Sequence, residues 1–318
     1  MAQAALPPSS LPPVSLPQAS LPQASLHDDW VRAIRAGDHA SAWDLCERQA
    51  ASRPPEQRDD PSLPYHLRWV WDLAPLDGRD VLVRCYHGLG DTIQFLRFLP
   101  ELRRRAASVT LEIQPHLIPL LPSKIADRVV PFDLARPLRP AERDVEIMEL
   151  SFALRMPPSE CPPPYLAVQP ADLPPGTIGL CCASGVWDAE RSIAPQLLAP
   201  LIAGRECVTL DARPSPLAVR NPEGCPLDMV ETAALVAGCA LVITVDTMIA
   251  HLAGALGRPV WLLLKHAPDW RWAPETGRSE WYPTARLYPQ PRPSDWPGAI
   301  AAVARDLETL FPQPEYAR

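Results

Sequence analysis

Several things are missing from this 318-residue sequence, and each absence removes a class of function. Its eight cysteines form no CxxC pair and no Cys/His ligand spacing. Cys181, Cys182, Cys207 and Cys239 instead lie in apolar runs, where reduced thiols pack as small hydrophobes. That pattern disfavours a zinc site and places the chain, as an expectation, in a reducing cytoplasm. No stretch of 18 apolar residues exists, so no transmembrane helix is predicted. The N-terminus lacks the basic and apolar regions of a signal peptide. Positive charge is also short. A formal net charge of -7 argues against nucleic acid, whose affinity comes largely from Lys and Arg neutralising phosphates, and leaves a small-molecule or protein ligand. The local exception is Arg97, Arg103, Arg104 and Arg105. It reads either as a peripheral contact with an anionic membrane or acidic acceptor, or as a solvated helix end favoured by the macrodipole.

What the sequence does have in excess is proline, with 42 residues, many between elements. Residues 1–26 contain "SLPPVSLPQASLPQASL", a five-residue repeat almost without charge that buries too little to offset its ordering entropy; a disordered, partly polyproline II tail is expected. Residues 27–62 open with two short helical patterns around a Gly-Asp turn. Trp30 and Ile34 mark one face, and Ala40, Trp43 and Leu45 the next. This resembles one tetratricopeptide-type helix pair, but a solenoid needs about three repeats, so the pair reads as a cap or docking remnant.

From residue 78 the pattern alternates. "RDVLVRCY" (79–86) is a near-continuous apolar run, as in a parallel strand buried on both faces, and a helix follows from about Asp91 with Ile93, Leu96, Leu99 and Leu102 on one side. Strands are expected at 108–115 and 128–133. Proline-rich 155–175 reads as an interdomain linker. Beyond it, strands "TIGLCCAS", "ECVTLD", "ALVITV" and "PVWLLL" alternate with helices, and a last helix carries Ile300, Val303, Leu307 and Leu310 behind a Ser294 or Asp295 cap. Alternation implies parallel sheets with right-handed crossovers. The expected architecture is α/β, two Rossmann-like domains at 63–172 and 173–318.

Open α/β sheets bind ligands beyond the carboxyl ends of their strands. Three junctions carry polar groups there. In "HGLGDTIQ", Gly88 and Gly90 permit a tight turn and close approach to a ligand, but Ile93 stands where a dinucleotide fingerprint needs its third glycine. Glu112 could still imitate a ribose-binding acid. Asp91 is either an N-cap or a carboxylate facing the cleft, able to take a proton from a hydroxyl. In "VDTMIAHLAGALGRP", Asp246 and Thr247 precede a short helix whose free N–H groups, on Thr247, Met248 and Ile249, suit a diphosphate; His251 is either a packing histidine or a ligand. In "SGVWDAERSI", Arg191 is either a surface arginine or a cation for a leaving phosphate.

Taken in order, "GLGDTIQFLRFLPEL", "RSI", "VITVDTMIAHLAGALGRPVWLLL", "PDWRW" and "SEWYPTARLY" resemble glycosyltransferase family 9, the heptosyltransferase family, and most closely the branch often fused to tetratricopeptide repeats. The resemblance covers roughly 63–312. It implies a GT-B fold, two Rossmann-like domains facing a cleft, with the donor nucleotide on the C-terminal domain and the acceptor mainly on the N-terminal one. It further implies inverting transfer that needs no metal or other cofactor, from a nucleotide sugar such as ADP-heptose to a glycan, lipid-linked or protein acceptor. Asp91 would match the general base. Thr247, Met248, Ile249 and His251, beside Asp246, would match the donor-diphosphate site, and Arg191 the residue supporting the phosphate. Trp270, Trp272, Trp281 and Tyr282 read as packing or as a platform for the nucleotide base. One departure is the short loop "GVWDAE" (185–190), which is longer in that branch. It favours the alternative of a non-catalytic nucleotide-sugar or protein-binding module on the same fold.

Overall fold

The computed structural model describes residues 21–185, 188–226 and 228–310. Two parallel sheets organise it. The N-terminal sheet has strands β1 (Asp80–Arg84), β2 (Ser108–Ile113), β3 (Arg128–Pro131) and β4 (Arg143–Glu146) in the order β3-β2-β1-β4. The C-terminal sheet has β5 (Ile178–Cys181), β6 (Cys207–Thr209), β7 (Leu241–Val245), β8 (Val260–Leu264) and β9 (Ala285–Pro289) in the order β6-β5-β7-β8-β9. Every ladder in both sheets is parallel. Each sheet reverses winding direction beside its first strand, between β1 and β4 in one and between β5 and β7 in the other. Those are the switch points where such sheets open a crevice.

Sequence reading missed two of the four edge strands, β4 and β9. β4 carries Arg143, Asp144 and Glu146 in four residues, and β9 is broken by exposed Arg286 and ends on Pro289, so neither presents the apolar run that marks a doubly buried strand. The helix predicted from Asp91 is present in pieces. Helix α3 (Leu89–Phe95) passes through a 3-10 turn, Leu96–Phe98, into α4 (Leu99–Arg105), which Pro100 opens. Ile93, Leu96, Leu99 and Leu102 are all buried. Helix α5 (Leu150–Leu154) closes the N-terminal half, and in residues 155–175, which lead on to β5, the Tyr165 and Leu166 amides bond to the Ala255 carbonyl.

In the C-terminal half, α6 (Ala199–Ile202) is shorter than its sequence suggested, while α7 (Met229–Gly238) and α8 (Met248–Ala255) are regular. Gly257 ends α8 at φ +69°, the left-handed position a glycine adopts without strain. Helix α9 (Trp296–Leu310) has its Gly298 amide capped by Asp295 and lays Ile300, Val303 and Leu307 on the sheet; Leu310, expected on that stripe, is 45% exposed. Ile178, Leu180, Ile243, Val245, Trp261 and Leu263 face α9, whereas Val242, Leu262 and Leu264 join a core continuous with that of the N-terminal sheet. The period-two alternation therefore puts one face of the second sheet into the contact between the halves.

The helical pair is α1 (Leu21–Arg35) and α2 (His39–Ala51), joined at Gly37 (φ +72°) and capped by Asp38, which accepts from the Ser41 amide at 3.1 Å. Helix α1 begins inside the segment assigned to the tail; the rest of that tail, 1–20, lies outside the described residues. Ala40 is exposed, and His39 and Ala42 are buried in its stead. The pair contacts both halves. Arg155 pairs with Asp44 at 3.2 Å, and His39 lies 2.7 Å from Glu280.

Candidate functional site

The two switch points face each other across a cleft of about 670 Å³, lined from one side by Gly88 to Asp91 and His116 and from the other by Cys181, Ser184, Arg191, Asp211, Asp246 to Ile249, His251, Asp269 and Arg271. The three predicted junctions meet there. Nine predicted residues, Gly88, Gly90, Asp91, Arg191, Asp246, Thr247, Met248, Ile249 and His251, all line this one space. Volumes of this order suit ligands of a few hundred daltons.

On the C-terminal side, β7 delivers Asp246 and Thr247 to the base of α8. Thr247 is the N-cap, and its Oγ1 accepts from the Ile249 amide at 3.1 Å. This corrects one expectation, because Ile249 has no free N–H for an anion. Among the described residues, the Thr247 and Met248 amides meet no protein acceptor. Arg191 is not a surface arginine. Its Nη1 donates to the Asp246 carbonyl at 3.0 Å and lies 3.6 Å from the Asp246 carboxylate, and its Nε is 3.4 Å from Asp188. Asp246 is buried. Burial and the neighbouring Asp269 charge raise its pKa to about 6, against the pull of Arg191 and Arg271. Within the "GVWDAE" loop, Val186 and Trp187 lie outside the described residues; Asp188 pairs with Lys265 at 3.0 Å.

His251 is 5% exposed, its Nδ1 is 3.0 Å from the Tyr282 hydroxyl, and its ring stacks on Trp272. Burial, with Arg271, Arg97 and Arg191 nearby, pushes its pKa well down, so the imidazole is neutral at pH 7. It packs and lines the cleft at once. Trp272, Trp281 and Tyr282 are buried, in agreement with the packing reading.

On the N-terminal side, Gly88 is the N-cap of α3 in an extended conformation open to any residue, so the tight turn expected at this glycine is absent. The close approach at Gly90 is to protein. A Cβ there would stand 2.9 Å from His251 Cδ2 and 3.3 Å from Met248 Cα, which is where α3 and α8 touch across the cleft. Asp91 is not an N-cap either. It occupies the third position of the helix and reaches back to accept from the Gly88 amide at 3.0 Å, while its other oxygen meets Arg271. The Asp91 side chain remains 24% exposed, on the cleft.

Two other expectations fail for one reason, which is that buried charge finds buried partners. Glu112 is no ribose acid, since it accepts from Arg84 at 2.9 Å and from the Leu138 amide at 2.6 Å. Arg97 leaves the basic patch altogether. It is buried, donates to the Trp281 carbonyl at 2.8 Å and lies over Tyr165 and Tyr282. Arg103 pairs with Asp127, and Arg104 and Arg105 with Glu101.

Among the cleft residues that sequence reading did not single out, Asp211 and Arg271 stand out by their contacts. Asp211, just past β6, accepts from the Cys182 and Ala183 amides at 3.0 and 2.8 Å; an acid at the carboxyl edge of the second strand was a readable signal. Arg271 was read only as part of an aromatic motif. Its signal was a cation between two tryptophans shortly after a buried strand. It donates to Gln94 at 2.7 Å and to Asp269 at 2.8 Å besides Asp91, and its side chain is 9% exposed.

Comparison with known proteins bears on this site. Residues 225–280, which include α8 and the 269–272 segment, match the family model of glycosyltransferase family 9 (heptosyltransferase). Among solved structures, the chain is similar to a glycosyl transferase family 9 protein from Veillonella parvula, with 14% identity and a TM-score of 0.54 over 75% of this chain and 98% of that one. It is also similar to the E. coli ADP-heptose lps heptosyltransferase II, with 13% identity and a TM-score of 0.47 over 72% and 99%, and to E. coli heptosyltransferase WaaC with ADP, with 14% identity and a TM-score of 0.45 over 72% and 99%. The curated proteins contain no match. The likeness to the Veillonella parvula structure shows the fold, which is GT-B, as the sequence motifs implied.

Proposed function

We propose that the protein is a glycosyltransferase that moves a sugar from a nucleotide-sugar donor to a hydroxyl acceptor with inversion at the anomeric carbon. One observation carries the reading. Asp91 of the N-terminal half faces Arg191 and the free Thr247 and Met248 amides of the C-terminal half across a single cleft, and the latter two belong to the segment that matches the family model. An inverting displacement needs those two poles. The acceptor hydroxyl gives its proton to Asp91 as its oxygen bonds to the anomeric carbon, and the bond from that carbon to the diphosphate oxygen breaks. The charge that develops on the departing diphosphate meets Arg191 and the base of α8, where fixed N–H dipoles cost no reorganisation. Neutral His251 adds no charge to this pole and carries the contact with Tyr282. Asp211, Arg213, Met229 and Thr232 also line the cleft and would take the nucleoside.

By this reading the donor is ADP-heptose or a similar nucleotide sugar, no metal or other cofactor takes part, and the acceptor is a glycan, a lipid-linked sugar or a protein in the cytoplasm. The helical pair is a tetratricopeptide-like remnant. The test is transfer from ADP-heptose and other nucleotide sugars by the wild type and Asp91→Ala. A loss of about 100-fold or more is expected, and unchanged transfer by the variant would sink the assignment of the base.

A second reading draws on a different observation. Both Asp91 oxygens are already engaged, by Gly88 and Arg271, as in a module that binds a nucleotide sugar without transferring it. Calorimetry with ADP beside a donor-hydrolysis assay separates the two. Binding with no turnover of any donor would favour this one.

A further inference from the structure

Residues 268–272 leave the C-terminal sheet after β8 and turn two charged side chains toward the other half. Arg271 spreads its guanidinium over three acceptors. Asp91 and Gln94 belong to α3 of the N-terminal half, and Asp269 to its own segment. Gln94 is fully buried, and its amide nitrogen has no partner among the described residues. Arg271 Nε must meet the amide oxygen, so the orientation of Gln94 is set by the arginine. A buried ion pair of this kind adds little net stability, because desolvating both charges offsets their attraction. What a planar fork adds is geometry.

The back of the same segment is held by the helical pair. Arg35 Nη2 donates to the Pro268 carbonyl at 2.9 Å and to the Asp269 carbonyl at 3.2 Å. The Trp30 ring meets Trp270 edge-on, with centroids 4.9 Å apart, and the Arg271 guanidinium lies 4.4 Å from the centre of that Trp270 ring on its other contact. Three consecutive residues are thus pinned from α1 immediately before the residue that reaches Asp91. Neither Arg35 nor Trp30 lines the cleft.

We infer that Arg271 is a positioning residue for Asp91, and that α1 holds Arg271 in place through Arg35 and Trp30, so that the helical pair is a working part of the site. The inference rests on Asp91 acting as the base. Its test uses the full chain with Arg271→Lys, Arg271→Met, Arg35→Met and Trp30→Ala, and with Arg32→Met as a control on the exposed side of α1. Two measurements are made. The first is hydrogen exchange of the amides of residues 88–95, which lie in the other half and need no substrate. Arg35→Met and Trp30→Ala should speed that exchange about fivefold or more, with Arg32→Met unchanged. The second is transfer from ADP-heptose. In Arg271→Met and Arg35→Met, kcat should fall about tenfold or more with donor KM within about twofold, and Arg271→Lys should recover part of it.

Wild-type exchange at 88–95 in both α1 variants would overturn the link through α1 whether or not any donor turns over. A raised donor KM at unchanged kcat in Arg271→Met would make Arg271 a donor-binding cation and overturn its positioning role. Full activity of Asp91→Ala, by contrast, would remove the base assignment while the exchange result still reported on the mechanical link.

Discussion

The β1–α3 and β7–α8 junctions are built alike, each a buried parallel strand running into a short helix at the carboxyl edge of a sheet, yet they are held in different ways. The second is held largely from its own half, although Met248 and His251 also meet Gly90 of α3. Thr247 caps its own helix, α8 is buried from Ile249 to Ala255, and Tyr282 of the same half fills the notch at Gly254. The first is borrowed. Gly88 offers no side-chain cap, the Asp91 carboxylate accepts from its amide, and that carboxylate is held by Arg271 of the other half. The difference teaches that the candidate diphosphate pole is set largely within one half, whereas the candidate base has its geometry only when the halves are together.

The sharpest way to probe the second junction is its buried carboxyl. Asp246 has its pKa raised to about 6, so between about pH 4 and pH 6 the folded protein holds a proton that the unfolded chain has lost. Its ionisation therefore destabilises the fold as pH rises through that window. Relative to Asp246→Asn, the wild type should lose roughly 2 kcal/mol between pH 4 and pH 7. Urea unfolding of both proteins at the two pH values checks this, and a difference that does not change with pH would contradict it.

Glycine-to-alanine changes come next. In an exposed helix they stabilise by about 1 kcal/mol. In Gly254→Ala the new Cβ would stand 2.2 Å from the Tyr282 ring, and in Gly90→Ala 2.9 Å from His251. Both should reverse sign and destabilise by about 2 kcal/mol, Gly254→Ala the more. The pair also breaks the comparison apart. Gly254→Ala disturbs one half internally, but Gly90→Ala pushes α3 from α8, so only the latter should impair transfer out of proportion to its melting temperature.

The smallest effect is expected for Thr247→Ala. Losing the cap should cost about 1 kcal/mol in thermal or urea unfolding, because the Ile249 amide loses its acceptor. Gly88 has no side-chain cap to lose, so Gly88→Ala should change stability less than Thr247→Ala does.

How much of this could be read in advance follows the same division. Leu241 to Val245 is fully buried, and Gly257 sits in the left-handed conformation where the motif placed its helix stop, so the β7–α8 unit was legible from local rules. Around β1, the strand was legible but the partners of its charges were not. Glu112 looked like a ribose acid until Arg84 was found beside it, and Arg97 like part of a surface patch until it was found under Tyr165 and Trp281. Arg271 and Asp91 stand 180 residues apart in the chain, a separation that no periodicity records.

By itself, then, the amino-acid order determined the alternation of strands and helices, the parallel sheets it implies, and the polar residues at their carboxyl edges, because apolar period and capping chemistry act over a few residues. Tertiary structure alone decided which of those polar residues face the cleft and which are spent on one another. A buried charge must find a partner wherever the fold brings one, and here the partner of the candidate base comes from the opposite half, with α1 packed behind it.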